Sequence, residues 1–523
     1  MSAQTVSDPS TVARVLDAGA AGFPSREALV DGRHRLDYGA LHELVGRVAA
    51  GLREAGVGPG DRVAVSLPNS VHVVVLFLAT MQAGATFVGV HPGLAPVEKV
   101  RLLEAAAADV VLATPAILSS VDDVGRSLPG LQVPVDLTDL TLGDIARPPR
   151  AGWAEPDPSA PAAIAFTSGT TGTPKGVVHD QQHMLLPASV ILHHRMVGRG
   201  ERIGVHLPLT TLNMLVLGPV LAFLGGGTCV CLDAHDPVYL AAAVRAERVE
   251  HMSTSPAVVH DLLEHGSVDL RAFAAVRLGV GGVACPERLR EAYREAIGRS
   301  FTTGYGLTEA PTAVSQETER IPHRAGASGT AMAHVRIEIV DDDGNPMPPG
   351  ERGEITVVAA TDGPWANRFR GLHSYLDRPD ETERVRRDGR LHTGDVGRVD
   401  ADGYVYVEDR RDGVINRGGS KVSPLEVENA LREHPAIADC IVLGHPDDRL
   451  GESVVAAVEL RAGAGVTSTD LREHCAQLLA GYKVPSTIAL VDALPRNPMG
   501  KVVRSAALDL IVDARDGVPG GQR

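Results

Sequence analysis

Thr167-Ser168-Gly169-Thr170-Thr171-Gly172-Thr173-Pro174-Lys175-Gly176 follows directly on the apolar run 162–166, and it fixes the reading of the residues around it. Glycines let main-chain N–H groups turn toward an anion, the Ser and Thr hydroxyls add donors, and Lys175 brings an ammonium that a triphosphate can use. It is not a Walker A loop, because Pro174 precedes the lysine and Gly176, not Ser or Thr, follows it. Alone, the stretch also fits a surface turn of small residues.

Three further stretches carry polar residues that an apolar frame does not need. Gly304-Tyr305-Gly306-Leu307-Thr308-Glu309 sets a flat aromatic beside flexible backbone, a hydroxyl and a carboxylate. His392-Thr393-Gly394-Asp395 leads through the turn Asp402-Gly403 and the alternating Tyr404-Val405-Tyr406-Val407 into Asp409-Arg410-Arg411-Asp412-Gly413 and on to Gly418-Gly419. Pro495-Arg496-Asn497-Pro498-Met499-Gly500-Lys501 places a lysine at the tip of a Pro/Gly-rich loop. Singly, each has an ordinary alternative: a hairpin turn, a solvated charge run, an exposed lysine. Together, and in this order, they resemble the adenylate-forming superfamily that contains acyl- and aryl-CoA synthetases, luciferases and the adenylation domains of peptide synthetases. The resemblance extends through 36–41, 56–64 and 84–88, and Ser423-Pro424-Leu425-Glu426-Val427-Glu428 is similar to the start of the family's small C-terminal domain. Only the first twenty or so residues and the tail after Leu510 fall outside it.

Bulk properties point the same way. A chain of 523 residues exceeds the usual size of one core, so two or more domains are expected. A formal charge of −15 argues against a nucleic-acid or anionic-membrane partner, since polyanions are bound by local positive charge. The five cysteines, Cys229, Cys231, Cys285, Cys440 and Cys475, lack paired spacing, so neither a disulfide framework nor a zinc site is expected and a reducing cytoplasm fits. The first ten residues lack a basic and an apolar region, so no secretory signal is read there. The greasy stretch 73–90 contains Gln82 and Gly84, and reads as a buried helix (73–83) followed by a buried strand (86–90), not as a membrane span.

Strand-like runs at 62–67, 110–112, 162–166 and 276–280 alternate with amphipathic helical patterns such as 38–55, which predicts parallel sheets covered by helices. From 337 to 408 short strands with Asp/Gly turns predict a small β-rich subdomain. Beyond 412 the pattern turns α+β, with a helix at 424–432 and strands at 438–443 and 454–459. The expected fold is therefore α/β: a large N-terminal domain of layered α/β sheets with a β subdomain (1–410, including 337–408), then a small mobile α+β domain (411–523).

The resemblance implies ATP-dependent activation of a carboxylic acid as an acyl-adenylate, then transfer to coenzyme A. It places Lys501 between the substrate carboxylate and the α-phosphate, Glu309 on Mg²⁺ and Thr308 on phosphate. Thr167, Ser168, Gly169, Thr170, Thr171, Gly172 and Lys175 would hold the triphosphate. Tyr305, with Gly304, would stack on adenine, Gly281 and Gly282 would line its other edge, and Asp395 and Arg410 would bind the ribose. Asp412 matches the hinge about which the small domain turns, and Gly418, Gly419 and Lys421 match the loop that then enters the site. Two departures stand beside the hinge: Asp409 where the family commonly has Gly, and Gly413 where it has an acid.

For the acid pocket the resemblance points to Leu207, Thr210, Thr211, Asn213, Val283, Ala310 and Pro311, all uncharged. Thr210 and Thr211 replace the family's frequent aromatic or His lid, and the Asp that holds an amino acid's ammonium is missing. An apolar, bulky acid is expected. The acceptor is CoA or a phosphopantetheinyl carrier protein; a homodimer, an enzyme of one half-reaction only, and a non-catalytic acyl or nucleotide binder remain open.

Overall fold

The stretch 73–90 resolves into two elements. Helix Val71–Ala83 is buried at every residue but Gln82, and strand Thr86–Gly89 follows it. A helix apolar on all sides must lie inside a core, and this one packs among the residues of the largest hydrophobic cluster. Among the described residues no helix is long and apolar enough to cross a membrane. The computed structural model describes residues 10–94, 96–122, 130–138, 156–167, 175–233, 236–281, 285–410, 413, 415–417, 420–447, 450–479, 481–497 and 500–515. The chain divides into two compact units: one of residues up to Glu338, Thr356–Thr393 and Gly403–Val405, the other of Ile339–Ile355, Gly394–Asp402 and the residues from Tyr406 onward.

Two large sheets carry the first unit. One orders its strands Ser374–Tyr375, Lys175–Asp180, Pro161–Thr167, Thr86–Gly89, Arg62–Ser66, Val110–Ala113, Leu131–Pro134. The other runs Thr330–Ala331, Thr312–Gln316, Thr302–Leu307, Arg277–Val280, His251–Thr254, Arg202–Val205, Thr228–Cys231, Glu27–Val30, Arg35–Asp37. Their centres are parallel, as the βα alternation predicts, but both ends of the nine-stranded sheet and the Ser374–Tyr375 end of the seven-stranded one are antiparallel. The reason is chain length: a parallel return needs a crossover of about a dozen residues, whereas Val30 to Arg35 and Leu307 to Thr312 leave room only for hairpins. The β-rich region appears as five strands, Val335–Val340, Gly353–Ala359, Arg386–Arg387, Arg390–Val399 and Val405–Arg410.

In the second unit strand Gly451–Leu460 lies between Ile437–Asp447 and the parallel Thr487–Val491. Alternation divides its side chains between two cores. Val454, Ala456 and Val458 meet helices Pro424–Arg432 and Ser468–Leu478 through Val427, Leu431, Leu471 and Cys475, while Val455 and Ala457 meet helix Arg504–Arg515 through Ala507 and Ile511. Helix Pro424–Arg432 starts with Pro at its first turn and Ser423 accepting from Glu426 N at 3.3 Å. All five cysteines are free thiols, four of them buried.

Candidate active site

Strands Pro161–Thr167 and Lys175–Asp180 pair antiparallel with Thr167 opposite Lys175, so the ends of the phosphate-loop sequence face each other across one ladder. The Lys175 ammonium ion-pairs with Glu381 and lies 5.7 Å from the centre of the Tyr375 ring. Glu381 also accepts from Arg378 Nη1 at 2.7 Å, and the bonds from Lys175 and Arg378 hold its carboxyl below the usual range. Both Tyr375 and Glu381 come from the segment whose strand, Ser374–Tyr375, pairs with Val178 and Val177.

The glycine–tyrosine motif forms strand Thr302–Leu307, parallel to Arg277–Val280. Gly281 and Gly304 adjoin: a Cβ on Gly281 would come 3.7 Å from the Gly304 carbonyl. Past Tyr305 the antiparallel ladder to Thr312–Gln316 slips by one residue, bringing the Thr312 carbonyl within 2.2 Å of where a Cβ on Gly306 would stand. Only glycine fits there. Thr312 itself holds φ 109°, with its buried hydroxyl lacking a hydrogen-bond partner among the described residues. A β-branched residue in that region stores about 1–3 kcal/mol of strain, which here turns the chain out of Ala310 and Pro311, both buried.

Thr308 and Glu309 are each fixed by a residue from the first sheet's edge. His179 Nε2 lies 2.7 Å from the Thr308 carbonyl; burial lowers the imidazole to about 4, so it is neutral and donates its Nε2 proton. The Tyr375 hydroxyl donates to Glu309 Oε1 at 2.7 Å. From behind, Glu317 holds the motif strand: it accepts from Thr303 N at 2.6 Å, Thr303 Oγ1 at 2.8 Å and the buried Arg290 guanidinium at 2.8 Å. Burial pushes the Glu317 carboxyl up, but the bonds from His323, Arg290 and Thr303 outweigh it and leave it lowered.

The expected acid-pocket segment is held by a residue that sequence reasoning passed over. Asn69 Nδ2 donates to the Leu207 carbonyl at 2.9 Å, and its Oδ1 accepts from Leu209 N at 2.8 Å. Thr210 is buried, its hydroxyl without a hydrogen-bond partner among the described residues, and its carbonyl sits 1.9 Å from where a Cβ on Gly89 would be. Thr211 caps the helix that begins Leu212–Leu215, its hydroxyl turned back to the Pro208 carbonyl at 2.7 Å, and Asn213 is exposed. That helix continues through a π turn, Val216–Val220, which accommodates Pro219.

In the second unit Asp395 is buried in strand Arg390–Val399, whose neighbour Val405–Arg410 ends at Arg410. Lys501 is exposed on a turn that closes on Asn497: Asn497 N donates to the Lys501 carbonyl at 2.8 Å and Asn497 Oδ1 accepts from Lys501 N at 3.0 Å. Arg496 clamps the turn through the Gly500 carbonyl at 2.9 Å and Asp439 at 2.5 Å. Ser168, Gly169, Thr170, Thr171, Gly172, Gly282, Val283, Asp412, Gly418 and Gly419, and the side chains of Arg410 and Lys421, lie outside the described residues.

Residues 16–361 match the family model of the AMP-binding enzyme, and residues 426–501 that of the AMP-binding enzyme C-terminal domain. The chain belongs to the AMP-binding enzyme family. It is 33% identical to a feruloyl-CoA synthase of an Amycolatopsis species over 92% of this chain and 95% of that protein. It is 30% identical to a sulfoacetate–CoA ligase of Cupriavidus necator, over 95% and 97%. Among solved structures it superposes on the amide bond synthetase McbA of Marinactinospora thermotolerans with a TM-score of 0.82 and 28% identity, covering 96% of this chain and 99% of that one. This AMP-binding enzyme is an AMP-forming acid–thiol ligase, with ATP and CoA as its substrates.

Within that family frame the supporting residues Asn69, His179, Glu317 and Tyr375 escaped the sequence reading. Asn69, polar between a strand and an apolar helix, carried a usable signal; the others occupy positions that a plain core or turn explains equally well. The donor atoms of Asp31, His34 and His72 also gather within 4.8 Å of one another. The Asp31 oxygens there accept from the amides of Arg33 at 2.8 Å, His34 at 2.7 Å and Val71 at 3.0 Å, which makes the group a turn and helix cap.

Proposed function

We propose that this AMP-binding enzyme activates an apolar carboxylic acid of substantial size and passes it to CoA. The carboxylate oxygen attacks the α-phosphorus of ATP, the bond to pyrophosphate breaks, and the acyl-adenylate then loses AMP to the thiol. The observation that carries this reading is the gathering of Thr308 and Glu309, in the hairpin that follows the glycine–tyrosine strand, with Tyr375 and Lys175 from the neighbouring strands Ser374–Tyr375 and Lys175–Asp180.

The first step brings two anions together, and the protein must offset their repulsion. Lys175 and the hydroxyls and amides of 167–172 serve the triphosphate, Thr308 the phosphate, and Tyr305 with Gly304, Gly281 and Gly282 the adenine. Asp395 and Arg410 serve the ribose. Lys501 neutralises charge where carboxylate and α-phosphate meet, its turn made stiff by Asn497 and Arg496. The hard oxygens of Glu309 suit Mg²⁺, and among the described residues its Oε2 has no hydrogen-bond partner. Mg²⁺ bound there would neutralise phosphate charge during the attack. For the second step the small domain, from residue 411, turns about Asp412 and brings Gly418, Gly419 and Lys421 to the thiol's side.

For the acid, the chemistry of Leu207, Thr210, Thr211, Asn213, Val283, Ala310 and Pro311 decides. None is charged, so an ammonium or a second anion would be buried unpaired, whereas each buried methylene gains about 0.8 kcal/mol. An aryl or alicyclic acid of the size of ferulate suits this pocket better than sulfoacetate does.

The test is incubation with ATP, CoA and acetate, a medium-chain acid, a cinnamic acid, a polycyclic acid and phenylalanine, with mass detection of acyl-AMP and acyl-CoA. The large apolar acids should lead in kcat/KM; preference for acetate or phenylalanine would overturn the pocket assignment. Acyl-AMP without acyl-CoA would select an enzyme of one half-reaction, the alternative that the departures at Asp409 and Gly413 leave to be tested. Lys501→Ala should slow adenylation by on the order of 10²–10³ and spare thiolysis of a supplied acyl-adenylate; equal loss of both steps would refute its role.

A further inference from the structure

Glu309 follows a turn at the end of a strand, and a glutamate on a turn has three free torsions with which to miss a cation. Two features of this chain remove that freedom. The peptide before it is pinned by neutral His179 on the Thr308 carbonyl, and its carboxylate receives the Tyr375 hydroxyl at 2.7 Å on Oε1 alone. Tyr375 is itself held in place: it is buried, its strand pairs with Val177 and Val178, and its amide donates to Thr382 Oγ1 at 2.8 Å. Thr382 Oγ1 in turn donates to the Arg378 carbonyl at 2.8 Å, and Arg378 bonds Glu381, the partner of Lys175. One short segment thus sets the direction of a carboxylate and the resting place of an ammonium that would both face the phosphates.

We propose that Tyr375 is a positioning residue for the metal carboxylate: its hydroxyl occupies Oε1 and turns Oε2 of Glu309 toward the divalent cation that accompanies ATP. The proposal rests on the assignment of Glu309 as the Mg²⁺ ligand. A hydrogen bond to a charged group strengthens the anion's fixed geometry more than a neutral one does, so its loss should be felt in cation binding and not in acid binding.

Tyr375→Phe keeps the ring and removes only the hydroxyl. With a non-hydrolysable ATP analogue bound, Mn²⁺ affinity read by electron paramagnetic resonance should fall about tenfold, the value of one such bond. The Mg²⁺ concentration for half-maximal adenylation should rise to match, a larger change than any in KM for the acid. Glu309→Gln serves as the reference. If Glu309→Gln weakens Mn²⁺ binding and Tyr375→Phe leaves it unchanged, Tyr375 does not position the ligand and the proposal falls alone. If neither variant changes it, the assignment of Glu309 falls as well. Should Tyr375→Phe fail to fold, Thr382→Val, which frees the Tyr375 amide without touching the ring, must show a smaller shift of the same sign; no shift would overturn the proposal.

Discussion

Replacing Glu317 by leucine tests whether the glycine–tyrosine strand is held from behind by one buried carboxylate. Glu317 has 6% of its side chain exposed and Arg290 10%, so the substitution strands a guanidinium away from water. Breaking a buried pair from one side costs about 3–5 kcal/mol, and the Thr303 amide, which loses its acceptor, adds about 1–3 kcal/mol. The two losses share one site and do not add, and Arg290 keeps the Phe301 carbonyl at 2.5 Å, so the expected cost is about 3–4 kcal/mol. That corresponds to a drop in melting temperature of roughly 6–16 °C at about 2–4 °C per kcal/mol. Urea unfolding followed by Trp365 fluorescence, in a Trp153→Phe background that leaves it the single tryptophan, reports on the unit that contains the pair. The double variant Glu317→Leu with Arg290→Met should recover at least about 2 kcal/mol, because it removes the unpaired charge as well. KM for ATP should rise in the single variant more than KM for the acid, since Thr303 directly precedes Gly304 and Tyr305. A single variant that loses less than about 1 kcal/mol, or a double variant whose effects simply add, would refute the brace.

Two other outcomes are expected. His179, His251 and His334 are each lowered by burial from 6.5 to about 4, so the unfolded chain binds protons that the folded unit refuses. The stability of their neutral state is complete above pH 6.5 and is lost as pH falls toward 4, at about 1.4 kcal/mol per pH unit for each histidine; a urea midpoint that stays flat from pH 7 to 5 would contradict this. Gly89→Ala would drive a Cβ into the Thr210 carbonyl and shift the segment around Thr210 and Thr211, costing about 1–3 kcal/mol as overpacking does. KM for the acid should rise severalfold with KM for ATP unchanged, and an unchanged KM for the acid would separate this segment from the substrate.

The fold was legible wherever one physical signal ruled. The stretch 73–90 broke at Gly84 as a buried helix and strand must, and helix Pro424–Arg432 began and ended where its Ser-Pro start and its apolar spacing placed it. The antiparallel sheet ends were less legible, because periodicity reports which faces are buried and not the direction of the neighbouring strand. Ladder direction depends on linker length, which the βα alternation hid at Leu307 to Thr312. In the site, residues that would touch ligands stood out because glycine, threonine and lysine crowd together without a packing reason. The residues that hold them did not. Tyr375 and His179 look like ordinary strand residues, since their function lies in one hydrogen bond to a partner 66 or 129 positions away in the chain.

The same distinction explains why the reaction class shows in the sequence motifs and the choice of acid does not. Phosphate, ribose and metal impose fixed charges, and a protein can meet them only with a few side-chain types that any sequence displays openly. An apolar acid imposes only shape, and shape is made by backbone placement: the Asn69 clamp on Leu207 and Leu209, the Gly89 gap that admits the Thr210 carbonyl, the turn at Thr312 that buries Ala310 and Pro311. Each of these contacts is made by backbone or by a supporting side chain, so a neighbour's substitution can shift it without altering a motif. Relatives of nearly equal identity can therefore carry names as unlike as feruloyl-CoA synthase and sulfoacetate–CoA ligase. If the proposed pocket is right, variants at Gly89 and Asn69, which move the segment around Thr210 through its backbone contacts, should change the choice of acid while leaving adenylation chemistry intact.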